Sequence, residues 1–294
     1  MTPLGRAFAL AGLLALTATP AAAAPRVVAS ILPVHSLLAR VMTGIGTPAL
    51  LLPADRSPHL ASLRPSQARA LARADAVFWI GPGLETFLAG PLARLARNAR
   101  VVALAEAPGV RTRPGGAGTP EDFHLWLDPR NAAAMGRAMA ATLAAIDPAN
   151  APRYAANGRR LEAALAALET EIAARLAPLR DRPFVVYHDA YRHFAARFGL
   201  HPLAAITPVP GRPPGARHLA RVRALIAAAG PTCLFHEPGA SPAILETIAG
   251  AGPIHRGVLD PLGVGIAPGP EAYATLMRRI AGALADCLET LPPR

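Results

Sequence analysis

Lysine is absent from this chain of 294 residues, so all 30 of its basic side chains are arginines. The formal net charge is +11, a balance that in principle suits a nucleic-acid partner. Nucleic-acid binding would need a clustered patch, whereas these arginines are scattered in runs no longer than two. Because net charge governs solubility and non-specific association rather than fold, we interpret it as a solvated basic surface and expect no nucleic-acid partner.

Cysteine is scarce, with only Cys233 and Cys287 in the chain. Neither lies in a C-x-x-C pair, which excludes the short thiolate motifs of zinc and redox sites. In an exported protein, an even number of cysteines indicates a disulfide. Two buried free thiols are the alternative.

Long apolar runs are confined to the N-terminus. Arg6 precedes the apolar stretch of residues 7–16, and Ala22-Ala23-Ala24 completes the pattern of a cleavable signal peptide over residues 1–24. No cysteine follows that would carry a lipid, and a membrane anchor is the alternative. We therefore expect a periplasmic protein. The remaining chain, about 270 residues, is large for one core and predicts two lobes.

Short β-branched runs alternate with helical stretches along the chain, a pattern that predicts α/β lobes with parallel sheets. The predicted strands fall into two groups: Arg26–Ser30, Ala49–Leu52, Ala76–Ile80 and Val101–Leu104, and then Phe184–Tyr187, Leu203–Ile206, Thr232–Phe235 and Gly257–Leu259. We expect an N-terminal lobe over residues 25–130, a helical connection over 131–179 and a C-terminal lobe over 180–294.

The helical connection ends in an unusually long helix. Its apolar side chains recur every three or four residues and so share one face: Leu161, Leu165, Leu168, Ile172 and Leu176. Glu171 and Arg175 are spaced to pair along the exposed side. Such a helix can span both lobes as a stiff support. Its apolar seam is too short for a coiled-coil dimer, so we expect a monomer.

Three histidines lie near short apolar runs and beside turn residues, namely His59, His124 and His188, and Asp260 follows the last predicted strand. Ligands of open α/β sheets bind outside the carboxyl ends of the strands. Three imidazoles and one carboxylate form a tetrahedral zinc site, here placed in the cleft between the lobes. Asp260-Pro261 is also an ordinary turn sequence, and water or another carboxylate could replace Asp260.

Long segments resemble the zinc-binding solute-binding proteins of bacterial ABC importers, the class with two lobes joined by a rigid helix. They include VVASILPVHSLLARVM, SPHLASLRPSQARAL, ADAVFWIGPGLETFL, HLWLDPRNA, YHDAYRHFAARFG, CLFHEPGASPAILETIA and LDPLG. The resemblance implies that His59, His124 and His188 bind the metal. It also implies that Asp260 is a ligand or a close neighbour, and that the two cysteines pair.

The same resemblance implies zinc as the transported substrate, a membrane permease with its ATPase as partner, and no catalytic activity. Manganese members carry Glu where this chain has His188, and imidazole in place of a carboxylate favours zinc. The alternatives are a manganese-binding or adhesin-like member, or a zinc hydrolase, although the H-E-x-x-H arrangement of metalloproteases is absent. The stretch RTRPGGAGTPED lacks the histidines that many zinc members carry before the second ligand.

Overall fold

The computed structural model describes residues 23–116, 121–209 and 212–292. The predicted signal peptide therefore lies outside the described residues, except for Ala23 and Ala24. Within the described residues, we find no helix with the length and apolar character needed to cross a membrane.

The first lobe is built on a parallel sheet with the strand order β2-β1-β3-β4. Its strands are β1 (Val27–Ala29), β2 (Ala49–Leu50), β3 (Ala76–Trp79) and β4 (Arg100–Ala103). Helices α1 (Leu32–Val41), α2 (Pro65–Ala72) and α3 (Thr86–Leu95) connect them. The central strands β1 and β3 are buried throughout, as expected of a parallel sheet covered on both faces.

The second lobe repeats this plan with the strand order β6-β5-β7-β8, again parallel. Its strands are β5 (Phe184–His188), β6 (Ala204–Thr207), β7 (Thr232–His236) and β8 (Ile254–Val258). The predicted fold class of two parallel α/β lobes is confirmed. Strand β8 begins three residues before its predicted start because His255 and Arg256 break the apolar pattern, and an edge strand tolerates such exposed side chains.

The remaining helices of the described chain are α4 (Pro129–Ile146), α5 (Ala151–Leu176), α6 (Arg192–Phe198), α7 (Ala216–Ala229), α8 (Pro242–Ala249) and α9 (Ala272–Leu288). Helix α5 spans 26 residues, and a rise of about 1.5 Å per residue makes it about 39 Å long. Its predicted apolar face is buried, as expected. The domain boundaries at residues 130 and 179 stay predictions.

Glu171 and Arg175 on the exposed side of α5 pair with α9 rather than with each other. Arg278 donates two hydrogen bonds to Glu171 at 2.8 and 2.7 Å, and Arg175 lies 3.2 Å from Asp286. The predicted pair between Glu171 and Arg175 is therefore wrong. A neighbouring helix supplies better-placed partners than the next turn does, so the last helix of the chain is fastened along the long one.

One hydrophobic cluster runs through both lobes and joins α1, α4, α5 and α9 to the inner faces of the two sheets. Trp126 is fully buried within it. Its indole nitrogen donates to the Pro261 carbonyl at 2.8 Å, and its own carbonyl accepts from the Tyr273 hydroxyl at 2.7 Å. Trp126 thereby connects the segment that carries His124 to the second lobe.

Cys233 on β7 and Cys287 on α9 form a disulfide, which confirms the predicted pair. The bridge closes a loop over a sequence separation of 54 residues. A loop of this length is worth about 4 kcal/mol in the chain-entropy description. It fastens α9 to the second sheet.

Removing a side chain from the buried face of α5 should weaken the whole fold. Leu165→Ala should lower the free energy of unfolding by about 2–5 kcal/mol, because a leucine cavity in a packed core rarely closes. Urea unfolding of the mature protein measures this, with Arg159→Ala on the exposed side of the same helix as the control. Equal stability of the two variants would contradict the assigned packing.

Candidate metal centre

The three predicted ligand histidines lie on separate segments of the chain. His59 lies in the loop between β2 and α2 and is half-buried. His124 precedes the short 3₁₀ turn Leu125–Leu127 that leads into α4, and His188 is the last residue of β5. Both of these are buried, at 5% and 8% exposure. Both lobes therefore contribute histidines to one site.

The ring nitrogens of these three histidines converge. The Nε2 atom of His124 lies 3.3 Å from that of His59 and 3.2 Å from that of His188. One nitrogen from each ring lies within 4.8 Å of the other two. A tetrahedral zinc ion with Zn–N bonds of about 2.0–2.1 Å holds its ligand nitrogens about 3.3–3.4 Å apart. The observed spacing therefore suits one ion bound by all three rings.

Carboxylates lie behind two of the three rings. Nδ1 of His124 is 2.7 Å from Oδ1 of Asp122, and Nδ1 of His188 is 2.6 Å from Oε1 of Glu237. A carboxylate oxygen can only accept here, so both Nδ1 atoms must donate. The Asp122 oxygen also accepts from the His124 backbone amide at 3.0 Å.

Burial and charge shift the pKa values of these groups in different directions. Burial lowers the pKa of His59 to about 2, and the neighbouring imidazoles add to this effect. Burial also acts to lower the pKa of His188, but the charge and hydrogen bond of Glu237 outweigh it, so the pKa is raised. Burial acts to raise the pKa of Asp122, but the adjacent His124 outweighs it, so the pKa is lowered.

A cavity of about 720 Å³ opens onto the three rings. Its wall includes the predicted ligand Asp260, together with Glu237, and prolines from both lobes. The histidine cluster therefore lies at the base of a cleft between the lobes. An ion from solvent can reach it through this opening.

The sequence profile of the family described as "Zinc-uptake complex component A periplasmic", ZnuA, matches residues 27–287. The chain belongs to this family. It is 36% identical to the high-affinity zinc uptake system protein ZnuA of Brucella abortus, over 89% of this chain and 91% of that protein. It is 35% identical to the protein of the same name from Paracoccus denitrificans, over 95% and 97% of the two chains.

A crystal structure of ZnuA has the same fold, with a TM-score of 0.79 and 26% identity over 90% of this chain and 99% of that one. The likeness extends over both lobes. The paired parallel sheets are therefore those of the ZnuA fold.

Asp260 does not join the three histidines of this ZnuA-family chain within the 4.8 Å cluster. One of its oxygens accepts from the Leu262 amide at 2.8 Å, and the other accepts from the Val264 amide. The carboxylate thus holds its own turn while it lines the same cavity. Its assignment as a ligand stays a prediction.

Asp122 is the residue of this centre that the sequence analysis missed. Its position two residues before His124 is the only signal in the sequence, and that spacing has many structural uses. For His193 of α6, the sequence indicates only a position beside a helix end. It is 1% exposed, and its Nε2 lies 3.0 Å from the Asp122 carbonyl, which ties the His124 segment to the second lobe.

Metal binding at this centre should weaken as the pH falls. A metal needs neutral imidazole, and the pKa of His188 is raised above 6.5, so a proton competes for His188 already near neutral pH. His59, with a pKa of about 2, does not compete in this range. Competition titrations with zinc between about pH 8 and pH 5 should show an affinity loss of up to about tenfold per unit for one displaced proton. A constant affinity over that range would contradict the protonation scheme.

Proposed function

We propose that the mature protein captures one zinc ion in the periplasm through His59, His124 and His188 and delivers it to an ABC-type importer. The spacing of the three Nε2 atoms, 3.2 and 3.3 Å, is the observation that carries this proposal. Zinc is then the transported substrate, not a resident cofactor. Membership of the ZnuA family supports the same conclusion.

Asp260 supplies the fourth ligand in this proposal. Each carboxylate oxygen has two lone pairs, and each Asp260 oxygen accepts one backbone hydrogen bond. One lone pair on each oxygen is therefore left for a metal. The carboxylate lines the cavity that opens onto the rings, so a shift of its turn toward them would bring it to the ion. Water is the competing occupant of this position.

The route of delivery follows from the compartment. Residues 1–24 direct export and are removed, which leaves the two lobes in the periplasm. The partner is the membrane permease of an ABC importer, driven by its ATPase. Relatives named for high-affinity zinc uptake, 36% and 35% identical to this chain, support this assignment.

Zinc is favoured over manganese because all three residues in the cluster offer imidazole nitrogen. A zinc hydrolase is less suited to this site. It would need a general base facing a metal-bound water, whereas Asp122 and Glu237 contact the ring nitrogens on the far side from the proposed ion.

Replacing any one of the three histidines by alanine should lower zinc affinity by about 100-fold. Structural zinc sites gain about 10–16 kcal/mol from four ligands, so one ligand is worth about 3 kcal/mol. Competition against a chelator of known zinc affinity measures the change in purified mature protein. His201→Ala is the matched control, because His201 is exposed and lies outside the cluster.

The results of this competition experiment test the ligand set, the place of the site and the function separately. Loss of affinity in all three variants, with His201→Ala unchanged, supports the ligand set. Parental affinity in His188→Ala would place the site elsewhere. Absence of zinc binding by the parent protein would refute the proposed function itself.

His188→Glu should shift the metal preference toward manganese, because it introduces a hard oxygen ligand. The new carboxylate would face Glu237, which contacts the His188 ring at 2.6 Å, so Glu237→Gln is combined with it to remove the like charge. The ratio of zinc to manganese affinity should fall in the double variant relative to Glu237→Gln alone. An unchanged ratio would contradict the role of position 188 in metal choice.

A further inference from the structure

The carboxylate of Asp122 lies behind the His124 ring and is buried. It is 4% exposed, and its Oδ1 accepts from both the backbone amide and the ring Nδ1 of His124. Its other oxygen, Oδ2, is buried and has no hydrogen-bond partner among the described residues. Burying a carboxylate without a full set of partners is costly unless a positive charge compensates it.

Glu237 has the same relation to His188 from the second lobe. Its Oε1 lies 2.6 Å from Nδ1 of that ring, and its side chain is 19% exposed. His59 differs, since its ring has no carboxylate partner among the described residues: its Nε2 lies 3.3 Å from that of His124, and its backbone amide donates to the Ser57 hydroxyl. Two of the three rings are therefore fixed from behind and one is not.

These contacts determine where the lone pairs lie. With Nδ1 of His124 and of His188 both donating to carboxylates, the two neutral rings carry no hydrogen on Nε2. Their Nε2 atoms nevertheless face each other at 3.2 Å. Two lone pairs at that distance repel each other unless a cation lies between them.

We infer that Asp122 and Glu237 are positioning residues for zinc capture: each holds its histidine in the Nδ1–H tautomer, with the Nε2 lone pair directed at the shared ion. This inference rests on the proposed function. Each carboxylate also places a negative charge behind a neutral ligand, where it strengthens the ring as a donor. The buried Oδ2 of Asp122 is then compensated when the dication binds at the other side of His124.

Asp122 and Glu237 belong to different lobes. Asp122 lies in the first lobe, and its carbonyl accepts a hydrogen bond from His193 on α6 of the second lobe at 3.0 Å. Glu237 directly follows β7 in the second lobe. Each lobe therefore presents one fixed histidine, and His59 completes the set from a loop.

The test compares Asp122→Ala, Asp122→Asn, Glu237→Ala and Glu237→Gln in the mature protein. Removing such a partner should lower zinc affinity by about 10–100-fold, measured by chelator competition. The amide variants retain an acceptor oxygen and should lose less than the alanine variants. Asp189→Asn is the matched control, because Asp189 adjoins His188 in sequence but pairs with Arg192 at 2.7 Å.

A second readout separates positioning from a general structural role. Nitrogen NMR of the zinc-free protein at about pH 9, where imidazole is neutral, reports the tautomer of each ring. His124 and His188 should be Nδ1–H in the parent, and each should lose that preference only in its own alanine variant. Circular dichroism checks that each variant is folded, and the more exposed Glu237 site keeps the test valid if Asp122→Ala does not fold.

Affinities within about twofold of the parent in both alanine variants would overturn the inference, as would unchanged tautomers. A parent protein that binds no zinc would instead refute the proposed function. A loss of affinity in Asp189→Asn equal to that in Glu237→Gln would also overturn the inference, because nearby charge rather than the hydrogen bond would then be responsible.

Discussion

The close approach of three imidazole nitrogens is the constraint on which the rest of this structure depends. His124 places its Nε2 at 3.3 Å from that of His59 and at 3.2 Å from that of His188. Neutral rings of His124 and His188 do not adopt such an arrangement for their own stability, because their Nδ1 atoms donate to carboxylates and their two Nε2 lone pairs therefore repel each other. The surrounding protein must therefore hold the three rings in a position that one shared ion can stabilise.

Rigidity between the lobes supplies that support. The hydrophobic cluster continues from one sheet to the other through the central helices. Helix α6 adds two polar links one turn apart: His193 bonds the Asp122 carbonyl, and Arg197 forms a bidentate pair with Asp128 at 2.8 and 2.7 Å. Asp128 in turn caps α4 by accepting from the Arg130 amide. The segment that presents His124 is thus anchored at both of its ends, and a large hinge opening would have to break these links together.

Much of this could be predicted from the sequence, because the relevant signals are local and periodic. The buried stripe of α5 follows from the spacing of its leucines, and the candidate ligands follow from histidines placed beside apolar runs. Contacts between residues that are distant in the sequence could not be predicted in this way. Glu171 has an arginine one turn away, yet it pairs with Arg278, whose proximity only the folded chain creates. Strand β8 includes polar residues that an edge position permits, and Asp122 looks like an ordinary turn carboxylate until its contact with His124 is known.

X-ray absorption at the zinc edge of the loaded mature protein tests the central claim most directly. The account predicts one zinc per chain with three imidazole nitrogens at about 2.0–2.1 Å and an oxygen completing a tetrahedral shell. Loss of one imidazole from that shell in His188→Ala would tie the signal to this cleft. A shell of oxygen atoms alone, or an imidazole count unchanged by that substitution, would contradict the account.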